Sequence, residues 1–164
     1  MKKLLLLNLL FLTSCGLMRT FKLIDAYDAE SISSQPFYEE MDFELIKGFI
    51  IIEAAIEGKK GKFIFDTGGG NQLDDDFAKG LTIQKIGKIK NVDSNGHKKY
   101  IPYGTVKSLT IGKTKFYDSV ISISDVEALN KVACLNVVGI IGVNAMNKCV
   151  WQINYQIKII IIEI

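Results

Sequence analysis

The chain is poor in the residues from which many functional sites are built. Among 164 residues there is one histidine, His97. A single histidine excludes an H-E-x-x-H zinc site, and no C-x-x-C pair is present either. The three cysteines, Cys15, Cys134 and Cys149, are too few and too scattered for a disulfide scaffold. Cys134 and Cys149 read as small buried apolar residues. Charge of one sign is also missing: 20 Lys and Arg face 18 Asp and Glu, without a basic block, so no nucleic-acid partner is expected. Only two prolines occur and 48% of residues are apolar, so the chain can bury a core.

The start of the chain reads as an address. Met1 to Ser14 has Lys2 and Lys3, then an apolar run from Leu4 to Leu12 broken only by Asn8, then small residues. That is the organisation of a secretory leader, and the run is well short of the ~20 residues a spanning helix needs. Leu12-Thr13-Ser14-Cys15 resembles the lipobox of bacterial lipoproteins. The resemblance implies cleavage before Cys15, lipid attachment there, and a protein anchored to a membrane of the bacterial cell envelope, outside the cytoplasm. The alternative is an ordinary leader followed by an unrelated cysteine. Without Lys2 and Lys3 the charge count becomes 18 basic against 18 acidic. Residues 15–40 are weakly patterned and read as a tether. The alternative is an N-terminal strand packed on the fold through Phe21, Leu23 and Ile24. The expected organisation is a leader over 1–14, a tether over 15–40 and one domain over 41–164.

From Phe43 onward short β-branched runs alternate with turn residues, which predicts an all-β fold, a small sandwich or closed barrel. Strands are expected over Phe49 to Ile56, Lys62 to Phe65, Leu81 to Ile89, Lys98 to Tyr103, Val106 to Ile111, Lys115 to Ile123, Val137 to Ile141, Cys149 to Asn154 and Ile157 to Ile164. Gly58 to Gly61, Asn95-Gly96 and Gly112-Lys113 carry hairpin signals. Short helices are expected near Asp75 to Lys79, Asp125 to Val132 and Asn144 to Lys148. Asp74-Asp75-Asp76 lacks the spacing of a calcium loop and reads as a solvated turn or helix start.

One loop can carry chemistry. Phe63-Ile64-Phe65-Asp66-Thr67-Gly68-Gly69-Gly70 puts an acid at the end of an apolar strand and before a run of glycines. There, desolvation and backbone N–H groups control its protonation. An Asx-type turn closing a strand has the same local appearance. Three features together resemble the retropepsin-like aspartic proteases over most of Phe43 to Ile164. Phe63 to Gly68 matches the strand and D-T-G catalytic loop. Asp93 to Lys99 is similar to the tip of a flap hairpin, with Val106 to Gly112 after it. Val138-Gly139-Ile140-Ile141-Gly142-Val143-Asn144 is similar to the second signature, which leads into a short helix.

The resemblance implies a small closed all-β barrel with one or two short helices, peptide or protein as substrate, and no metal or cofactor. It makes Asp66 the general acid/base, with Thr67 bonding across to the second half of the site and Gly68 donating its N–H to the carboxylates. Asn95 and Gly96 would form a flap over the substrate, and Ile140, Ile141 and Gly142 would pack beneath the loop. Two carboxylates sharing one proton are required for this chemistry. Asp-Thr-Gly occurs once, so a homodimer is expected, with one Asp66 from each chain on a two-fold axis. Gly69 stands where Ala or Ser is usual and cannot donate a side-chain hydrogen bond, which points to a weakly acidic pH optimum. Asn144 stands where Asp is common. Both departures also suit the alternative of a catalytically inactive, protease-like binding or assembly module. The C-terminal Lys158 to Ile164 run fits either a dimer-interface strand or a core strand within one subunit.

Overall fold

Two-residue turns with both residues in the left-handed region set the first hairpins. At Lys47-Gly48 (φ 49° and 87°) and Glu57-Gly58 (φ 49° and 84°) the chain reverses with the twist that antiparallel neighbours require. The computed structural model describes residues 21–33, 38–92, 96 and 98–163. The strands are β1 (Ser31–Ile32), β2 (Tyr38–Asp42), β3 (Glu44–Ile46), β4 (Phe49–Ile56), β5 (Lys59–Phe65), β6 (Gln72–Leu73), β7 (Gln84–Val92), β8 (Lys98–Ile111), β9 (Thr114–Ile123), β10 (Gly139–Ile141), β11 (Val150–Asn154) and β12 (Ile159–Glu163). Helix α1 covers residues 21–29, α2 Glu127–Ala133 and α3 Val143–Met146.

In the larger sheet the order is β1-β9-β6-β10-β5-β4-β8-β7, with β3 on β4, and β8 also pairs with β9. The pairings therefore run in a ring from β4 through β5, β10, β6, β9 and β8 back to β4. A second sheet, β11-β12-β2, closes one side. The fold is mostly β with few and short helices, as expected, and three are present among the described residues.

Phe63, Ile64 and Phe65 are all buried because the sheet is covered on both faces. Phe63 and Phe65 face the main core with Leu109, Ile111 and Phe116. Ile64 joins Ile51, Ala133, Leu135 and Val137 in a second cluster, formed by the α2 segment lying over the outer face. Trp151 connects the second sheet to the ring: its indole lies 5.0 Å from Phe65 and 6.4 Å from Phe116 between ring centroids.

Several boundaries differ from the pattern-based expectation. β5 begins at Lys59, since the turn is Glu57-Gly58 rather than Gly58 to Gly61. β7 begins at Gln84, because Leu81 and Ile83 pack on the core as plugs instead of extending a strand. Lys98 to Ile111 is one strand, which first pairs with β7 and then with β9 and β4. Residues 75–80 make turns instead of a helix, with Ala78 N–H bonded to the Asp74 carbonyl at 2.9 Å and Gly80 at φ 84° ending the run.

The stretch expected to be a tether contributes structure from residue 21 on: α1, β1 paired with β9, and β2 paired with β12. The extended-strand alternative suits β1 and β2, whereas Phe21, Leu23 and Ile24 lie in a helix. β12 is the central strand of its sheet, with Ile160 and Ile162 fully buried, so it is a core strand within the subunit. Cys134 is exposed, against expectation, because it takes the left-handed conformation (φ 51°) that ends α2. Cys149 is half-buried, and burial pushes its thiol up to about 11.

Candidate active site

Asp66 follows directly on β5, and its N–H donates to the Ile141 carbonyl of β10 at 2.9 Å. β10 lies between β5, to which it is parallel (Ile140 with Ile64, Ile141 with Phe65), and β6, to which it is antiparallel (Gly139 with Leu73). The chain from Asp66 to Asn71 must therefore arch from one side of β10 to the other. At the start of this arch Gly68 donates its N–H to Asp66 Oδ1 at 2.8 Å, a bond that orients the carboxyl. Asp66 is half-buried, and Thr67 and Gly68 are exposed.

The end of β10 touches the arch from beneath. Val143 N–H donates to the Gly69 carbonyl at 2.9 Å. A Cβ on Gly142 would overlap that same carbonyl oxygen, so the close approach of the two segments requires glycine there. Ile141 is buried with 1% exposure. Ile140, half-buried, instead lines a cavity of about 280 Å³ beside Asp66 and Thr67, together with Phe49, Ile64, Leu129, Ile153 and Tyr155. The second signature thus divides its work: Ile141 and Gly142 carry the loop, and Ile140 faces the space next to the acid.

Two residues assigned no positive role from the sequence complete the support. Asn71 Oδ1 accepts the Gly142 N–H at 2.9 Å, and Asn144 Oδ1 accepts the Asn71 N–H at 3.1 Å. Both amides donate from Nδ2 to the Val120 carbonyl, at 3.2 and 3.3 Å. Asn71 and Asn144 are each 5% exposed. The departure at Asn144 is thus an integral part of the loop's mounting. An asparagine directly after the Gly68 to Gly70 run and another two residues after Gly142 were the available signal.

The hairpin β7–β8 projects from the ring, with paired register from Gln84 opposite Thr105 to Val92 opposite Lys98. Gly96 at its turn is exposed with φ 81°. Asn95, expected to share the flap tip, lies outside the described residues, as does Cys15. On the other flank of the arch, a cavity of about 530 Å³ separates Gly68 to Gly70 from Tyr27, Asp28 and Glu30, with Lys148 at its edge. Lys148 Nζ donates to the Tyr27 carbonyl at 3.3 Å, which holds the end of α1 near the loop. No group of three or more His, Cys, Asp or Glu able to hold a metal ion occurs among the described residues.

The chain that carries this arrangement, an acid and glycines on an arch between two strands that flank a third, matches a known family. The family model described as Aspartyl protease matches residues 52–145, more than half of the chain, and the chain belongs to that family. Among solved structures, a retropepsin-like aspartic protease from Rickettsia conorii is similar in fold, with a TM-score of 0.54 at 19% identity over 78% of this chain and 92% of that one. No protein with a curated description matches the chain.

Proposed function

We propose that the chain is an aspartic endopeptidase that acts as a homodimer. The observation that carries this reading is the Asp66 carboxyl, oriented by Gly68 N–H and lining a cavity with Phe49, Ile64, Ile140 and Ile153. A water held between two Asp66 carboxylates, one from each copy, would lose a proton to one of them while the other polarises the peptide carbonyl. One acid per chain makes the second copy necessary. Exposed Thr67 would bond across the two-fold axis, and the β7–β8 hairpin, with Gly96 in its turn, is the candidate flap.

The cavity formed by Ile64, Ile140, Leu129 and Ile153 suits a bulky apolar side chain adjoining the scissile bond. Peptides or unfolded protein segments carrying such residues are the proposed substrates. We further propose that Cys15 carries lipid and holds the domain at a membrane of the bacterial cell envelope, a reading supported by the leader pattern. No helix among the described residues is long and apolar enough to cross a membrane.

The full chain and its Asp66→Asn variant, incubated with a mixed peptide library across pH and examined by sedimentation, test the reading. Expected are a dimer and cleavage next to large apolar residues, abolished by the substitution and by a pepstatin-type inhibitor. A folded dimer without cleavage at any pH would favour the inactive binding module. A strict monomer that cleaves would overturn the shared dyad.

A further inference from the structure

The bonds made by Asn71 and Asn144 need both a donor and an acceptor on each side chain. Each side chain accepts one main-chain N–H and donates to one main-chain carbonyl. An amide offers both functions at every pH, whereas a carboxylate has no donor and a protonated carboxylic acid has one. The shared acceptor, Val120 O, would face a lone-pair-bearing oxygen in place of a donor if either residue were an ionised acid. At 5% exposure such a charge would also be desolvated.

The bonds lie where they govern the acid. Asn71 ends the arch that Asp66 begins, and Gly142, bonded to Asn71, follows directly on Ile141, whose carbonyl receives the Asp66 N–H. Both ends of the arch are thus tied to the end of β10, and both amides tie that junction to β9 through Val120. We propose that Asn71 and Asn144 are positioning residues for Asp66, a buried amide pair that holds the acid-bearing loop in one geometry across the pH range in which the acid changes protonation.

This inference rests on Asp66 being the acting acid, and its test is read both with and without catalysis. Asn144→Asp and, in parallel, Asn71→Asp are nearly isosteric and introduce a titrating group at the brace. At about pH 4 the new acid is protonated, its hydroxyl replaces the amide donor, and each variant should match wild type in thermal unfolding and in the kcat for an apolar peptide. At about pH 7 the acid ionises, and kcat should fall about ten- to a hundred-fold through misplacement of Asp66, with KM little changed. The Gly68 and Gly69 amide resonances should shift over the same pH interval. Return to about pH 4 should restore both.

If wild type cleaves nothing, the proposed function fails while the resonance shifts still report on the brace. Identical pH dependence of variant and wild-type resonances would overturn the inference. So would loss of stability with kcat and the Gly68 and Gly69 resonances unmoved, which would make the pair merely structural. Failure of both variants to fold even at about pH 4 would equally overturn it, since the protonated acid should satisfy the site.

Discussion

Glu30 and Ser119 are buried side by side, and neither the carboxyl oxygens of Glu30 nor the Ser119 hydroxyl forms a hydrogen bond with a described residue. Glu30 ends the α1 segment and Ser119 belongs to β9. Burial raises the Glu30 carboxyl above its usual 4.5, against the smaller opposing influences of Ser119 and Lys148. A carboxyl raised in the folded state binds more protons there than in the unfolded chain, so its contribution to stability is full below about 4.5 and is lost as pH rises through the raised value. Glu30→Gln should flatten this part of the profile. Near neutral pH it should stabilise the protein by about 1 kcal/mol, or about 2–4 °C in Tm. Thermal unfolding at about pH 4 and about pH 7.5 checks this, and a variant profile parallel to wild type would contradict it.

Gly142→Ala forces a Cβ onto the Gly69 carbonyl oxygen. The backbone at residue 142 is extended (φ −122°), so the penalty comes from the contact alone. The arch must separate from β10, with loss of the Val143 to Gly69 and Asp66 to Ile141 bonds. A destabilisation of about 2–3 kcal/mol in urea unfolding is expected, with activity lost.

A Cβ at position 69 would lie 3.2 Å from Asp66 Oδ2, a tight approach that a small rotation of the carboxyl relieves. Gly69→Ser therefore places a hydroxyl beside this oxygen and favours its ionised form. The acid limb of the pH–rate profile should move to lower pH in the variant. An unchanged or higher acid limb would show that the hydroxyl does not reach the carboxylate.

Ile140 lines the cavity next to Asp66 without carrying the loop. Ile140→Phe fills part of that space. For peptides with a Phe or Leu next to the cut bond, KM should rise about ten-fold, while peptides with Ala there should be affected less. Equal effects on both peptide sets would place the substrate elsewhere.

Ile160 is fully buried at the centre of the β11-β12-β2 sheet. Truncation to Ala leaves a cavity beneath Trp151 and Ile153 and should cost about 2–5 kcal/mol. Trp151, the only tryptophan, reports the unfolding of this sheet through its fluorescence. An unfolding transition unchanged from wild type would contradict the core role of Ile160.

Much of the ring was legible from local pattern. The consecutive burial of Ile50 to Ile52 in β4 and of Phe63 to Phe65 in β5 reflects apolar runs that the sequence carries openly, and Gly112-Lys113 forms its expected turn. Helix α1 was less legible. Phe21, Ile24 and Tyr27 recur at helical spacing, yet they are exposed at 54%, 47% and 39%, so the stripe does not correspond to a core-facing side. Cys134 misled for a related reason: its apolar character suggested burial, but its backbone conformation is set by the end of α2.

The amino-acid sequence by itself determined that a single acid precedes a glycine run at the end of an apolar strand, and that a second Gly-centred signature follows more than seventy residues later. Only the tertiary structure decided what the second signature does for the first. Insertion of β10 between β5 and β6 brings Asn144 to Asn71, Ile141 to Asp66 and Gly142 to Gly69. Side-chain spacing along one strand specifies which face is buried, but a bond between residues 73 positions apart depends on strand order and register. Those are settled when the whole ring closes on its core.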